Sequence, residues 1–242
     1  MRKLLARKDD GSFGAIGIGA MIVFIAMILV AGVAASVIIN SSNAVQIQAL
    51  ATGQQTTKEV ASGISVFEIC GQVNVTGGTN YDINYTAITV KARPGSGDID
   101  LNNTYILISD GTTKSLLRYG HANASELFVA KGSAEGDLFD FLSGEDWDIC
   151  DYEAFGIAVL QDYDTSMTQY NPVLNRGDKA VLFIRCGTDA NASDAFIDAG
   201  CFSSEISERT DVFGRVIPEI GAPGVISFSA PMSYVDTVYA LQ

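Results

Sequence analysis

The feature that most limits how this chain folds is a run of 47 residues, from Gly11 to Thr57, without an ionisable side chain. Within it, the 25 residues from Ala15 to Ile39 include one polar side chain, that of Ser36. A helix needs about 20 apolar residues to cross a bilayer core, whereas a secretory signal has an apolar core of only about 7 to 15. The segment is therefore predicted to be a membrane helix and not a secretory signal.

The residues on either side of this segment predict its orientation. Four basic residues precede it, Arg2, Lys3, Arg7 and Lys8, and the uncharged polar sequence NSSN follows it at 40–43. Basic residues stay on the cytoplasmic side of a membrane helix. The N-terminus is therefore expected in the cytoplasm and the bulk of the chain outside.

The helical pattern continues beyond the apolar segment to about Ser62, because no proline and several good helix formers occur there. A helix from Ala15 to Ser62 would be about 70 Å long at 1.5 Å per residue. Alone in water such a weakly charged helix would be unstable. Small residues such as Gly17, Gly19 and Gly32 let helix backbones approach closely. A bundle of such helices is therefore favoured over a single anchor.

The remainder of the chain is predicted to be a β domain of about 175 residues. β-branched and aromatic runs separated by Gly, Asp, Asn, Ser and Pro include NYDINYTAITVKA, TYILIS, KSLLRYG, ELFVA, AFGIAVL, KAVLFIRC, RVIPEI, GVISFSA and DTVYAL. Asp110-Gly111 is a hairpin-type turn signal between two of them. This predicts an α+β chain: a long N-terminal hydrophobic helix, then an antiparallel immunoglobulin-like β-sandwich or barrel.

The charge of the chain limits its partners. Its net charge is −13, and without residues 1–14 the 11 basic and 26 acidic residues that remain give −15. Such an acidic domain is a poor partner for nucleic acid or anionic lipid. No nucleic-acid partner is therefore expected.

Four cysteines all lie in the predicted external domain, where disulfides are permitted: Cys70, Cys150, Cys186 and Cys201. Four cysteines allow three pairings that the sequence does not distinguish. Cys186 with Cys201 would close a short loop and leave Cys70 for Cys150. A zinc site is disfavoured, because the chain has no C-x-x-C motif and one histidine, His121.

Asparagine is concentrated in N-x-[ST] sequons, which include six of the eleven asparagines. Asn40 lies beside the apolar helix and is set aside. N-glycosylation is predicted at the other five: Asn74, Asn84, Asn102, Asn123 and Asn191.

Acidic pairs and the single histidine give little support for catalysis. The pairs Asp98 with Asp100, Asp162 with Asp164, and Glu145 with Asp148 lie in turn-rich stretches, where solvated carboxylates are expected. His121 lies in YGHANAS, and the chain has neither G-x-S-x-G nor a phosphate-binding loop. The chain is predicted not to be an enzyme and to require no cofactor, and a structural calcium ion among the acidic loops stays open as an alternative.

The stretch GAIGIGAMIVFIAMILVAGVAASVIIN, residues 14–40, resembles the N-terminal signature of the archaeal flagellins, or archaellins. GSGDIDLNNTYILISDG, LNRGDKAVLFI and RVIPEIGAPGVISFSAPMSYVDTVYAL resemble later family phrases in the same order, so the resemblance covers most of the chain. It implies a structural subunit of the archaellum, whose N-terminal helices form the core of an extracellular filament for swimming. Some archaellins also carry metal sites in loops of this kind.

The resemblance further implies a precursor cut after a glycine by a prepilin-peptidase-like enzyme. Gly14 followed by AIGIG fits, with Ala15 as the mature N-terminus. The implied division is a cleaved basic leader at 1–14, an assembly helix at 15–63 and an outer β domain at 64–242. The family usually has basic residues directly before the cut, whereas Ser12 and Phe13 intervene here, so cutting after Gly11 stays open.

The partners implied are other archaellin subunits, the processing peptidase and the archaellum assembly platform in the membrane. An adhesive type IV-like pilin is the first alternative. Pilins carry a glutamate at mature position five, where this chain has Gly19. A membrane-anchored surface binding protein is the second alternative, and it would need a linker after the span that the sequence lacks.

Overall fold

The structure, a computed structural model, describes residues 10–73, 82–120, 127–130, 139, 153–187, 200–202 and 204–242. The chain divides into two compact units, Met1–Gln55 and Thr56–Gln242. From Asp10 onwards, the first unit is helical. The second contains the end of the helix and all of the β-strands in the described residues.

A single α-helix, α1, spans Asp10–Ala61 and has 52 residues. At 1.5 Å per residue it is about 78 Å long, close to the predicted length. It ends where the backbone N–H of Ser62 donates to the carbonyl of Lys58 at 2.8 Å and Gly63 follows. The predicted helix from Ala15 to Ser62 is confirmed, and it begins five residues earlier than expected.

Twelve strands follow in the described residues. Their bounds are β1 Ile64–Val73, β2 Ile83–Ala92, β3 Ile99–Asp100, β4 Tyr105–Ser109, β5 Lys114–Tyr119, β6 Phe128–Val129, β7 Ala154–Gln161, β8 Val173–Leu174, β9 Lys179–Arg185, β10 Asp211–Ile217, β11 Gly224–Ser229 and β12 Val238–Ala240.

Ten of the strands form one sheet in the order β11-β10-β4-β5-β7-β9-β2-β1-β12, with β6 beside β7. Neighbours pair antiparallel except β5 with β7 and β6 with β7, which are parallel. The sheet curls so that its two ends approach each other. Ile64 at the start of β1 donates its N–H to the carbonyl of Ala222, just before β11. A long helix followed by mainly antiparallel β-structure is thus confirmed: ten strands form one curled sheet, and β3 pairs antiparallel with β8 in a separate two-stranded sheet.

The core of the β unit lies inside this curl. Buried side chains alternate with exposed ones along β4, β5, β10 and β11, as in strands with one wet face. In contrast, β9 is buried at every position from Ala180 to Arg185. Phe139 packs edge-on against Phe183 of β9, with ring centroids 6.3 Å apart. This contact covers part of the face of β9 that points away from the core.

Candidate functional site

The apolar surface of α1 is exposed around its whole circumference. Met27, Ile28, Leu29 and Val30 point in four successive directions, yet their side chains are 56–70% exposed. A helix that is apolar all round is stable only in apolar surroundings, such as a bilayer or a packed bundle. In the described residues, this is the one helix long and apolar enough to cross a membrane.

Three glycines leave the surface of α1 without side chains at their positions. A Cβ added at Gly17, Gly19 or Gly32 would meet no atom within 4 Å. Among the described residues, these glycines therefore serve no packing need. They leave room for another helix backbone to come close, as small residues do in apolar bundles.

The predicted cleavage bond lies in the first turns of α1. Gly14 is exposed and has open space where a side chain would be. Ala15 follows it in the helix, and Gly11, the alternative site, also lies in α1. Both candidate bonds thus precede the apolar segment on the same helix.

The structure places two of the five predicted glycosylation sites. Asn102 is half-buried in the turn before β4, where its backbone N–H donates to Asp100 at 2.8 Å. Asn84 is in β2 and only 1% exposed, and its side-chain amide has no hydrogen-bond partner among the described residues. Burial argues against a glycan on Asn84, because a sugar there would displace the neighbouring strands. Asn74, Asn123 and Asn191 lie outside the described residues.

Two of the cysteines lie side by side. Cys186 and Cys201 are buried, and burial raises the pKa of the Cys201 thiol, aided by a hydrogen bond and charge from Cys186. The Cys186 thiol is also 3.1 Å from the hydroxyl of Thr86. Neither cysteine forms a disulfide in the structure. Their pairing therefore stays a prediction, supported by their proximity.

Cys70 lies on β1, and it forms no disulfide with another described cysteine. It is half-buried, and burial, with a contribution from Glu68, raises the pKa of its thiol to about 11. Its expected partner, Cys150, lies outside the described residues.

Three aspartates come together beside β8 and β9, and we call them the acidic loop cluster: Asp162, Asp164 and Asp178. One oxygen from each lies within 4.8 Å of those from the other two. Asp162 and Asp178 are buried, and Asp164 is exposed. The sequence pairing of Asp162 with Asp164 is therefore part of a larger arrangement that includes Asp178.

Hydrogen bonds orient each carboxylate in the acidic loop cluster. Asp162 accepts from the backbone N–H groups of Thr165 and Met167, at 2.7 and 3.2 Å. Asp178 accepts from the N–H of Tyr163 and the hydroxyl of Ser166, both at 3.3 Å. The donor set consists of hard oxygens, two of them on buried residues, and it fits calcium better than a soft metal.

The exposed member of the cluster is held by its own hydrogen bonds. The side-chain amide of Asn175 donates to Asp164 at 2.6 Å, and the N–H of Ser166 donates at 3.2 Å. Desolvation acts to raise the pKa of Asp164, but these bonds keep it below its ordinary value. Asp164 is therefore ionised at neutral pH.

The predicted pair of Asp98 and Asp100 does not join this cluster. Asp98 is exposed, and Asp100 accepts hydrogen bonds from Asn102 and from the Asn103 side chain, as expected for a solvated turn. Glu145, Asp148 and His121 lie outside the described residues.

Comparison with known proteins identifies the family. The profile of the archaeal-type flagellin family matches residues 14–228. Flagellin B2 of Methanocaldococcus jannaschii is 41% identical over 232 residues, covering 96% of this chain and 95% of the relative. Flagellin B3 of Thermococcus kodakarensis is 37% identical over 255 residues, covering 95% of this chain and 97% of the relative.

Solved structures agree with the sequence comparison. The crystal structure of archaeal flagellin FlaB1 from Methanocaldococcus jannaschii matches with a TM-score of 0.58 and 30% identity, covering 75% of this chain and 98% of that one. The archaeal flagellum of Methanospirillum hungatei strain JF1 matches at 16% identity and a TM-score of 0.50, covering 90% and 95%, which supports the fold. The exposed apolar helix, the curled sheet and these matches lead to one conclusion: the chain belongs to the archaeal-type flagellin family.

Proposed function

We propose that this archaeal-type flagellin is inserted in the membrane as a precursor with a cytoplasmic N-terminus, and that a prepilin-peptidase-like enzyme removes residues 1–14. The chain is a structural subunit of the archaellum filament, and this proposal concerns how it reaches the filament. The leader carries four basic and two acidic residues. The family match covers residues 14–228, which include the whole apolar segment from Ala15 to Ile39.

The single observation that carries the proposal is the exposed apolar circumference of α1. Lipid can solvate these side chains before assembly, and sister helices can bury them afterwards, with little net change in apolar exposure to water. The open glycine positions allow close helix packing. Family membership also argues against the adhesive-pilin alternative and against an enzyme.

Removal of the leader acts as the switch for assembly. Six charged residues in residues 1–10 would otherwise enter a core that has no ionisable partner between Gly11 and Thr57. The effective cost of desolvating an unpaired charge in a protein interior is several kcal/mol per ion. Uncleaved subunits should therefore stay in the membrane. The assembly platform in the membrane would take up the processed chain.

Substitution at the two candidate glycines tests the cleavage site. Gly14→Val should block processing, because the side chain fills the position on the leader side of the cut, and cells should lack filaments. Gly11→Val is the matched control and should leave both processing and filaments intact. Immunoblots of membranes and sheared filaments measure both. Normal filaments from Gly14→Val, or loss of them only with Gly11→Val, would overturn the site.

We also propose that the acidic loop cluster holds a structural calcium ion. Asp162, Asp164 and Asp178 would supply carboxylate oxygens, and the ion would offset the repulsion among three carboxylates within 4.8 Å. The ion would cross-link the 162–167 loop to the start of β9. Its role would be stability, since the cluster includes neither a nucleophile nor a base aimed at a cavity.

Two modifications complete the proposal for the extracellular domain. N-linked glycans are proposed at Asn74, Asn102, Asn123 and Asn191, and a disulfide is proposed between Cys186 and Cys201, whose adjacent thiols support it. Cys70 would then pair with Cys150. Peptide mapping of filaments without reduction measures all of these. Free thiols at Cys186 and Cys201 would exclude the first disulfide.

A further inference from the structure

Four adjacent strands, β11, β10, β4 and β5, expose an apolar and basic surface that we name the outer sheet face. It consists of the residues that alternate with the core residues of these strands. Tyr105, Leu116, Phe213 and Val225 on it are 46–60% exposed. Outward positions of a one-sided antiparallel sheet are ordinarily polar. Such a face on a secreted domain is typical of an interaction surface.

Strand pairing makes the outer sheet face continuous. Leu107 pairs with Leu116 on one side and with Arg215 on the other, and Arg215 pairs with Val225. These four residues form one row across the four strands. Directly opposed side chains lie about 4.5–5.5 Å apart at Cβ, so the apolar side chains adjoin one another around a central arginine.

The charge of the outer sheet face is opposite to that of the chain. Among the described residues of the four strands, its basic side chains are Lys114, Arg118 and Arg215, and Asp211 is acidic. The structure gives none of the three cations a salt-bridge partner in the described residues. The whole chain, by contrast, has a net charge of −13. The face is therefore suited to an acidic protein surface with some apolar content.

We propose that the outer sheet face docks the acidic outer domain of a neighbouring copy of this chain in the filament. Each copy carries a surplus of 15 acidic residues after loss of the leader, so the required complementary charge is present on every neighbour. Electrostatic complementarity of this kind steers partners together and excludes wrong registers. The proposal rests on the chain's role as a filament subunit.

The contact is head to tail. Two outer sheet faces placed against each other would bring Arg215 and Arg118 of one copy against those of the next, and like charges repel. A contact between two different patches avoids this repulsion. Such heterologous contacts generate open helical filaments, whereas a self-complementary patch closes into a dimer.

Chemical modification of wild-type filaments tests the proposal directly. Lys114 should be acetylated by an N-hydroxysuccinimide ester at least tenfold more slowly in purified filaments than in detergent-dissociated subunits. A zero-length carbodiimide should join Lys114 to carboxylates of a second copy and produce covalent dimers, identified by mass spectrometry. Equal acetylation rates in filaments and subunits would overturn the proposal while leaving the filament function intact. Cross-links from Lys114 only to another protein would overturn the choice of partner.

Variants with a changed charge on the outer sheet face provide a second test of the proposal. Arg215→Glu should reduce filament yield at least tenfold while processed chain accumulates in the membrane, and Arg215→Lys should retain filaments. Lys91→Glu, a matched charge reversal on β2, should assemble normally; Lys91 lies 4.7 Å from the Phe67 ring, away from the outer sheet face. Normal filament yield from Arg215→Glu would contradict the proposal. The Lys114 measurement needs no variant and stands even if Arg215→Glu fails to fold.

Discussion

Asp110 organises the turn between β4 and β5. One of its carboxylate oxygens accepts from the backbone N–H groups of Thr112 and Thr113, at 2.7 and 2.6 Å, and from the Thr113 hydroxyl at 3.2 Å. Gly111 supplies the positive φ of 87° that the turn needs. The Asp-Gly signal in the sequence predicted this hairpin, because turn chemistry is local.

Replacing Asp110 should destabilise the domain in a pH-dependent manner. Asp110→Ala removes charge-assisted hydrogen bonds and should cost about 1–2 kcal/mol at pH 7. Burial acts to raise the pKa of Asp110, but the bonds from Thr113 and Thr112 hold it below the ordinary 3.8. The lowered pKa stabilises the fold above pH 3.8, and this contribution is lost as pH falls through the folded-state pKa.

The difference between wild type and Asp110→Ala should therefore shrink as the pH falls below about 4. Thermal unfolding of the full-length chain in detergent, at pH 7 and at several pH values below 4, measures it. A difference that grows on acidification would contradict the assigned role of the ionised carboxylate.

Asp178 should link stability to calcium. EDTA should lower the unfolding temperature of the wild-type chain by several degrees, and added calcium should restore it, because an ion that binds only the folded state stabilises it by mass action. Asp178→Asn should abolish this response. Asp98→Asn, an exposed aspartate outside the cluster, is the matched control and should keep it. Identical wild-type unfolding with calcium and with EDTA would exclude the site.

At the scale of elements, glycines shape the junction where α1 passes into the sheet. Gly221 has φ of +100°, and a Cβ there would overlap the backbone carbonyl of Ser62. A Cβ at Gly63 would lie 2.6 Å from the carbonyl oxygen of Ala222. Two chain segments thus approach more closely than any side chain would allow, and this contact closes the curl of the sheet beside β1.

Gly221→Ala should therefore cost more than its positive φ alone. The φ of a non-glycine residue there costs about 1–2 kcal/mol, and displacement of the Ser62 backbone should add about 1–3 kcal/mol. Gly111→Ala is the matched control, since Gly111 also has a positive φ but open space around it. Denaturant unfolding of both variants measures the difference. Equal destabilisation would show that the close approach to Ser62 contributes nothing.

The sequence predicted elements better than their arrangement. The run without charges predicted α1, and the dipeptide Asp110-Gly111 predicted the hairpin between β4 and β5. Both predictions were possible because each structure depends on residues that are neighbours in the sequence. The insertion of β7 between β5 and β9 depends on contacts distant in sequence. Asp178 was missed for the same reason: it lies 14 positions after Asp164 in the sequence, and only the folded loops bring the two side chains together.

Asn84 illustrates a conflict between motif and burial. Its sequon predicted a glycosylated surface residue, yet Asn84 lies in β2, which pairs with β1 and β9 on its two sides. An N-x-T motif gives no information about burial. The β-branched residues that follow Asn84 predicted a strand, and the structure confirms that strand.

At the scale of the whole molecule, basic, uncharged and acidic segments follow one another along the chain. Basic residues lead the chain, no charge occurs along most of the helix, and acidic residues predominate in the outer domain. An acidic exterior keeps subunits soluble, while the uncharged helix permits burial in lipid or in a filament core. Next to the helix, the six charged side chains of residues 1–10 are incompatible with that core.

The most direct test of this account is the N-terminal residue of the chain in purified surface filaments, measured by Edman degradation or intact mass. The account predicts Ala15 as the first residue, with residues 1–14 absent. A filament subunit that begins at Ser12 would place the cut after Gly11. Filaments built from chains that begin at Met1 would contradict the central claim that loss of the leader frees the apolar helix for assembly.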